Sequence, residues 1–204
     1  MHSDSAISYP VMEHFYTIQG EGANTGKAAY FIRLGGCDVG CVWCDVKESW
    51  DATKHSLIAV DELVRIVQNS GAIQVVITGG EPAMYNLQPL TNQLHEIGVL
   101  CFIETSGAYP LTGTWDWICV SPKKFKAPLD VVLSKADELK VIVFNESDFN
   151  WAEKYSGKVN SSCRLFLQPE YSVFNQVAPR IVDFVKKNPS WIISLQTHKV
   201  MQIP

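Results

Sequence analysis

The chain has 204 residues, 47% of them hydrophobic and 19% charged, which excludes a disordered segment and predicts one domain over residues 1–204 with a full core. A net charge of −4 excludes a basic nucleic-acid footprint, and the short run Lys123, Lys124, Phe125, Lys126 reads as a solvated loop. Residues 1–10 lack the apolar stretch of a signal peptide and no segment is long enough to span a bilayer, so the six cysteines are expected to be reduced, in a cytoplasmic setting.

Short apolar runs that stop abruptly at polar or glycine residues recur along the chain. They are residues 28–34 (AAYFIRL), 73–78 (IQVVIT), 99–104 (VLCFIE), 116–120 (DWICV), 138–143 (ELKVIV), 164–168 (RLFLQ) and 191–196 (WIISLQ). Their β-branched and aromatic content predicts buried strands. Helical patterns fall between several of them: Val60 to Gln68, with apolar Leu63, Val64 and Val67 behind Asp61 and Glu62, then Leu87 to Ile97 and Gln176 to Lys187. Alternating helices and buried strands predict a parallel sheet with right-handed crossovers. The connection from Thr105 to Trp115 holds Pro110 and two glycines, so one crossover is expected to lack its helix. An incomplete α/β barrel fits this order better than a full eightfold one.

Each run ends on a polar cluster. The first is followed by a cysteine loop, the second by GGEP (79–82), the third by TSG (105–107). SPK (121–123), PEYS (169–172) and THK (197–199) follow later runs. In parallel α/β folds the carboxyl ends of the strands share one rim, where ligands bind. These clusters are therefore expected to converge on one mouth.

Cys37, Cys41 and Cys44 are spaced C-x3-C-x2-C in that first loop. A structural zinc site is closed by four ligands. A fourth would have to come from His55, Cys101 or Cys163. Cys101, Cys119 and Cys163 lie in or beside apolar runs and read as small core residues, while His55 reads as a surface histidine. An iron–sulfur cube on three thiolates leaves one iron open to a substrate or cofactor. Three ligands make sense if the site does chemistry.

The C-x3-C-x2-C loop joined to TGGEP (78–82) resembles the radical S-adenosylmethionine superfamily. Within it the chain resembles the 7-carboxy-7-deazaguanine synthase family from end to end. The matching stretches are YTIQGEG (16–22), FIRLGGC (31–37), WCD (43–45), TGGEP, ETSG (104–107), SPK (121–123), LQPEY (167–171) and QTHK (196–199).

The resemblance implies a [4Fe-4S] cluster on Cys37, Cys41 and Cys44. It implies S-adenosylmethionine contacts from Trp43, Cys44, Asp45, Gly80, Glu104, Ser121, Pro122, Lys123, Gln168, Pro169, Glu170 and Tyr171. The substrate it implies is 6-carboxy-5,6,7,8-tetrahydropterin, contracted to 7-carboxy-7-deazaguanine with loss of ammonia after a 5′-deoxyadenosyl radical takes a hydrogen atom from C6. Substrate contacts fall on Ile18, Gln19, Gly20, Glu21, Arg33, Thr78, His198 and Pro204. Arg33 stands alone in an apolar run, where an unpaired guanidinium would be costly, and its fork suits the substrate carboxylate. An internal pair with Glu21 or another carboxylate is the alternative. Gly79 and Gly80 would let the backbone come close to the cofactor.

The tail from His198 to Pro204 is expected to cross the mouth, packing Val200, Met201 and Ile203 and presenting the Pro204 carboxylate to the pterin. A homodimer and an electron donor such as flavodoxin or ferredoxin are implied as partners. One departure stands out. Many members hold Mg2+ with a threonine or serine after the Cys-Asp pair, where this chain has Val46, so the magnesium site is in doubt. Two rivals remain: a glycyl-radical enzyme activase, and a non-catalytic zinc or iron–sulfur binding module.

Overall fold

Alternation of burial along the strands builds the architecture of the computed structural model, which describes residues 7–204. The signal-peptide reading of residues 1–10 falls partly on residues 1–6, outside the described residues. In chain order the strands and helices are β1 (Ser8–Ile18), β2 (Ala28–Leu34), β3 (Ser56–Ala59), α1 (Val60–Ser70), β4 (Gln74–Gly79), α2 (Gln88–Glu96) and β5 (Leu100–Thr105). Then come β6 (Trp117–Val120), α3 (Asp130–Leu133), β7 (Glu138–Val143), α4 (Ser147–Ser156), β8 (Arg164–Pro169), α5 (Phe174–Lys187), β9 (Trp191–Ile193) and α6 (Thr197–Met201).

The described strands form one sheet in the order β3-β1-β2-β4-β5-β6-β7-β8-β9. From β2 onward each neighbour is parallel, while β1 runs antiparallel to both β2 and β3. The end strands β3 and β9 do not pair, so the sheet curls into an open, incomplete barrel. No helix separates β5 from β6, as the proline and glycines of that connection predict.

Side chains on successive residues point to opposite faces. One face of β2, β4, β5, β7 and β8 puts Ile32, Leu34, Ile77, Ile103, Leu139 and Leu167 at 0% exposure beneath the helices. Burying each such side chain contributes about 1.5–3 kcal/mol. The other face begins apolar, where Ala29, Val76 and Phe102 pack with Phe31 and Trp117, and turns polar toward the carboxyl ends. The helices cover the first face. In α1, Val60, Leu63, Val64 and Val67 are buried, Asp61 and Glu62 complement the positive end of the helix, and Gly71 closes it at φ 71°.

Several elements differ from expectation. β1, β3 and α4 were not predicted. β1 carries Glu13, His14 and Thr17 among its apolar residues, so it shows neither a continuous apolar run nor clean alternation. The last strand stops at Ile193 rather than at residue 196. Beyond it, Gln196 turns its amide to Glu21 (2.9 Å) and Thr197 donates its N–H to the Gly20 carbonyl (3.0 Å), which takes the chain off the sheet edge. The tail is not extended: it coils into α6 and ends on Gln202 at φ 56°.

Candidate active site

A cavity of about 270 Å3 opens at the carboxyl rim. Every residue assigned above to cluster, cofactor or substrate lines it except Pro122, whose carbonyl accepts the Trp151 indole N–H at 3.3 Å behind the wall; of the tail residues expected to pack across the mouth, Val200 and Met201 are exposed instead. Cys37, Cys41 and Cys44 stand on one side, Arg33 and Thr78 on the wall, and His198 and Pro204 on the tail.

The cysteine loop is held from both ends. Cys37 N–H donates to the Trp50 carbonyl (3.1 Å) and Cys44 N–H to the Cys41 carbonyl (3.1 Å). Between the first two cysteines, Asp38 accepts from Lys126 (2.7 Å) and from the Tyr109 hydroxyl, tying the loop to those that follow β5 and β6. The run Lys123 to Lys126 is therefore not a free solvated loop: Lys123 lines the cavity, Lys124 pairs with Asp148 at 2.6 Å, and Lys126 pairs with Asp38. Burial pushes the Cys37 thiol up and the Cys41 thiol to about 11. Binding a metal as thiolates must therefore release protons.

All six cysteines are free. Among the described residues, the one trio of Cys, His, Asp or Glu whose ligand atoms all lie within 4.8 Å of one another is His95, Cys101 and Asp116. Cys37, Cys41 and Cys44 do not form such a trio, so at least one pair of their sulfurs lies more than 4.8 Å apart without a metal. Three soft thiol ligands on one cavity wall suit an iron–sulfur cluster. His55 is not a fourth ligand. Its Nε2 meets the Glu48 carbonyl at 2.9 Å and its ring packs on Gly35.

The His95 trio is satisfied within itself on the opposite rim. His95 Nε2 lies 2.7 Å from Asp116, which also accepts the Cys101 N–H at 2.8 Å. Burial pushes the Cys101 thiol to about 12.

GGEP acts on the protein as much as on a ligand. A side chain at Gly80 would clash with the Gly36 carbonyl and reach the Cys37 Cβ at 2.9 Å, so glycine admits the cysteine loop itself. Gly80 and Glu81 N–H groups donate to the Leu34 and Gly36 carbonyls (2.9 and 2.8 Å). Glu81 is 1% exposed; it caps the turn over Pro82–Met84 and accepts from the Ser106 N–H (2.8 Å) and from the Thr105 and Ser106 hydroxyls. It lines the cavity with its oxygens already engaged, and so welds two strand-end loops together.

Below the mouth lies a buried charge network. Lys140, from β7, donates to Glu21 (2.5 Å) and reaches Glu104 at 3.5 Å. Gln19 donates its amide to Glu104 (2.9 Å) and accepts the Glu21 N–H (3.1 Å), which closes a ring. Gln196 donates to the other oxygen of Glu21 (2.9 Å). Burial opposes charge on Glu21, but the Lys140 ammonium and hydrogen bonds from Lys140, Gln196 and Gln168 hold its carboxyl down to about 2. Burial likewise opposes charge on Lys140, yet Glu104 and Glu21 keep it well above its usual value. Gln19 therefore spends its side chain inside the protein, while its backbone bonds Lys27 and Gly26.

Arg33 makes an internal pair, though not with Glu21. Its Nε binds Glu13 at 2.6 Å, the residue directly across in β1. The two terminal nitrogens make no hydrogen bond among the described residues, so half of the fork stays open. Thr78 is its neighbour in register on β4. Lys123 donates to the Ser121 carbonyl (2.8 Å) and lies 5.7 Å from the Trp43 ring. Burial lowers its pKa, opposed by the nearby Cys41 thiolate. Burial also lowers His198. Lys199, in α6, joins Asp45 (3.1 Å) to the Tyr171 ring (4.6 Å) and so fastens the tail across two loops of the mouth.

Sequence reasoning missed Lys140 and Gln196. The first carried a signal: a charge inside the apolar run ELKVIV. Gln196 lies beside the THK cluster but had no distinguishing mark.

Comparison with known proteins agrees with this geometry. The Radical SAM superfamily model matches residues 31–119, from β2 through the cysteine loop to β6. The chain is 53% identical to the 7-carboxy-7-deazaguanine synthase of Flavobacterium psychrophilum, covering 96% of this chain and 92% of that one. Identity is 46% to the synthase of Synechocystis sp., covering 97% of this chain and 94% of the relative. The crystal structure of QueE from Escherichia coli superposes with a TM-score of 0.82 at 33% identity, over 93% of this chain and 94% of that one. With the cysteine loop, the open barrel and near-full-length identity in agreement, the chain belongs to the 7-carboxy-7-deazaguanine synthase family of the radical SAM superfamily.

Proposed function

We propose that this protein converts 6-carboxy-5,6,7,8-tetrahydropterin to 7-carboxy-7-deazaguanine with loss of ammonia, as a carbon–nitrogen lyase of queuosine biosynthesis. The observation that carries this reading is one cavity on which the three cysteines, Arg33, Thr78, Glu104, Lys123, His198 and Pro204 all meet. The superfamily uses a [4Fe-4S] cluster and S-adenosylmethionine, which together supply hydrogen-atom abstraction at the substrate.

This chain's own groups then bind, orient and exclude water. Cys37, Cys41 and Cys44 hold the cluster. Gly80, Glu104 and the loops at Ser121 to Lys123 and Gln168 to Tyr171 receive S-adenosylmethionine, with Glu104 accepting from ribose hydroxyls. Trp43 and Asp45 frame its adenosyl part. The open half of the Arg33 fork takes the substrate carboxylate. Ile18 and Gly20 present backbone to the pterin, and Pro204 accepts from its amino-pyrimidinone edge. The whole reads as a single core domain, with an N-terminal substrate-binding segment and a tail that closes the mouth. Mg2+ is assigned to substrate and water oxygens rather than to Val46. A homodimer, a flavodoxin- or ferredoxin-type reductant and a reducing cytoplasmic setting complete the reading. Among the described residues no helix is long and apolar enough to cross a membrane.

The glycyl-radical activase and zinc-module readings lose ground to the substrate wall and to the near-full-length likeness to the synthases. Anaerobically reconstituted protein, given reductant, S-adenosylmethionine and the carboxytetrahydropterin, is expected to release 7-carboxy-7-deazaguanine by mass spectrometry. Iron and sulfide should each be about four per chain. Cofactor cleavage without that product would overturn the substrate assignment, and a colourless zinc protein the whole reading.

A further inference from the structure

Lys140 is buried to 3% exposure on the inner face of β7, where it lines the floor of the cavity, and the cluster and ligand roles given above leave it unassigned. A charge so placed is costly unless paired, and this one is paired twice. Its partners come from two different segments that line the cavity. Glu21 follows β1 and is bonded to the tail through Gln196, while Glu104 ends β5. In the proposed function and the contacts the family resemblance implies, on which this inference rests, Glu21 belongs to the substrate side and Glu104 to the S-adenosylmethionine side. Gln19 closes the same loop by a second route, with its amide nitrogen on Glu104 and its amide oxygen on the Glu21 N–H.

We propose that Lys140 is a positioning residue that couples the two ligand sites, so that S-adenosylmethionine and the pterin each tighten the other's binding. Both carboxylates keep one flank toward the cavity, with side-chain exposures of 15% for Glu21 and 24% for Glu104. A ligand on either flank immobilises that carboxylate. The ammonium, sealed at 4% exposure, passes the ordering to the other, so the second ligand has less freedom left to quench. The arms are unequal, 2.5 Å to Glu21 and 3.5 Å to Glu104, which leaves room to tighten on the cofactor side. Occupying the mouth also removes water, which strengthens both ion pairs.

The test is equilibrium dialysis on cluster-loaded enzyme without reductant, so that nothing turns over. The dissociation constant of S-adenosylmethionine is measured with and without saturating carboxytetrahydropterin, and the reciprocal experiment must give the same ratio. The ratio expected for the parent protein is roughly tenfold, within the usual span of about 5–150-fold. In Lys140→Met it should fall to about one, even after each single affinity has shifted. Lys158→Met, which removes an exposed pair with Asp130, should keep the parent ratio. If Lys140→Met does not fold, Glu104→Gln breaks the same link and should also bring the ratio to about one. A ratio of one in the parent, or a parent-like ratio in Lys140→Met or Glu104→Gln, overturns the coupling. No pterin binding to the parent at all would overturn the substrate reading, and this inference with it. A residue that only stabilised the fold would lower the unfolding temperature and leave the ratio alone.

Discussion

Leu139 and Lys140 are neighbours in β7 and both are sealed, at 0% and 3% exposure, but in opposite surroundings. Leu139 enters the aliphatic layer beneath the helices, whereas Lys140 enters a nest of carboxylates beneath the cavity. The contrast runs along the sheet: Ile77 against Thr78, Ile103 against Glu104, Leu167 against Gln168. A period of two lets one strand serve two purposes, cohesion on one face and chemistry on the other. The polar face is tolerable because it is satisfied. Among the described residues, only the Gln74 amide nitrogen is a buried side-chain polar atom without a partner.

The cysteines give the sharpest way to break the comparison. Cys41→Ala, on the chemical side, is expected to leave a folded chain that loses iron during turnover and no longer cleaves S-adenosylmethionine. Cys101→Ala, on the cohesive side, should cost of order 1 kcal/mol and keep its iron and activity. Equal iron loss in the two variants would refute the assignment of ligands.

Next in size is Leu139→Ala. Removing a fully buried leucine costs about 2–5 kcal/mol, readable as a lower urea midpoint with an unchanged slope. Iron per folded chain and the Michaelis constants of surviving enzyme should match the parent. A selective loss of cofactor affinity would mean that the two faces are not separable.

The same split explains what the sequence disclosed. Seven apolar runs were legible because strands buried on both sides of a sheet are apolar almost throughout, and their polar ends mark one rim. β1 was illegible because its mixed composition pairs antiparallel outside the parallel set. In α4 only Asp148, Phe149, Ala152 and Tyr155 are buried, too short a stripe to stand out. Arg33 was legible as a charge in an apolar run, but not its partner Glu13 across the β1–β2 pair. Lys140 carried the same mark. Its partners Glu21 and Glu104 are 119 and 36 residues away, and no local pattern announces them.

The tail tests how tightly the polar face is closed. Pro204 lines the cavity and its carbonyl oxygen accepts from the Thr17 hydroxyl at 3.3 Å. Residues appended after Pro204 are expected to raise the pterin's Michaelis constant about tenfold, equivalent to about 1.4 kcal/mol, while cofactor binding survives. An ordinary Michaelis constant in the extended protein would remove Pro204 from the substrate's contacts.

Acid should strike the polar face through Glu21. Its folded-state pKa is about 2 against an ordinary 4.5, so its contribution is complete above about 4.5 and lost as the pH falls toward 2. Urea midpoints of the parent and Glu21→Gln should differ most at pH 5, narrow below about pH 4.5 and converge only below about pH 2, with acid loss of the cluster common to both. A constant gap over that range would show that Glu21 is not held ionised by Lys140.

The smallest expected effect is at Val46, where the chemical face lacks a side-chain oxygen. Val46 lines the cavity beside Asp45, and its carbonyl already accepts from the Ser49 N–H (3.1 Å) and hydroxyl (2.7 Å). Asp45 is engaged by Lys199. Magnesium needs near-octahedral oxygen ligation, and the proposed reading gives it ligands from substrate and water. Stimulation by magnesium should therefore be weak in the parent, less than about twofold. Val46→Thr keeps the branched shape and adds one hydroxyl at a half-buried position, where the desolvation cost is small. One added oxygen ligand on the scale of a net hydrogen bond, about 1 kcal/mol, predicts a rise in magnesium stimulation of about fivefold. Titrating magnesium against initial rate in both proteins measures it. Strict magnesium dependence in the parent, with no further gain from threonine, would mean that another oxygen in this chain fills the place.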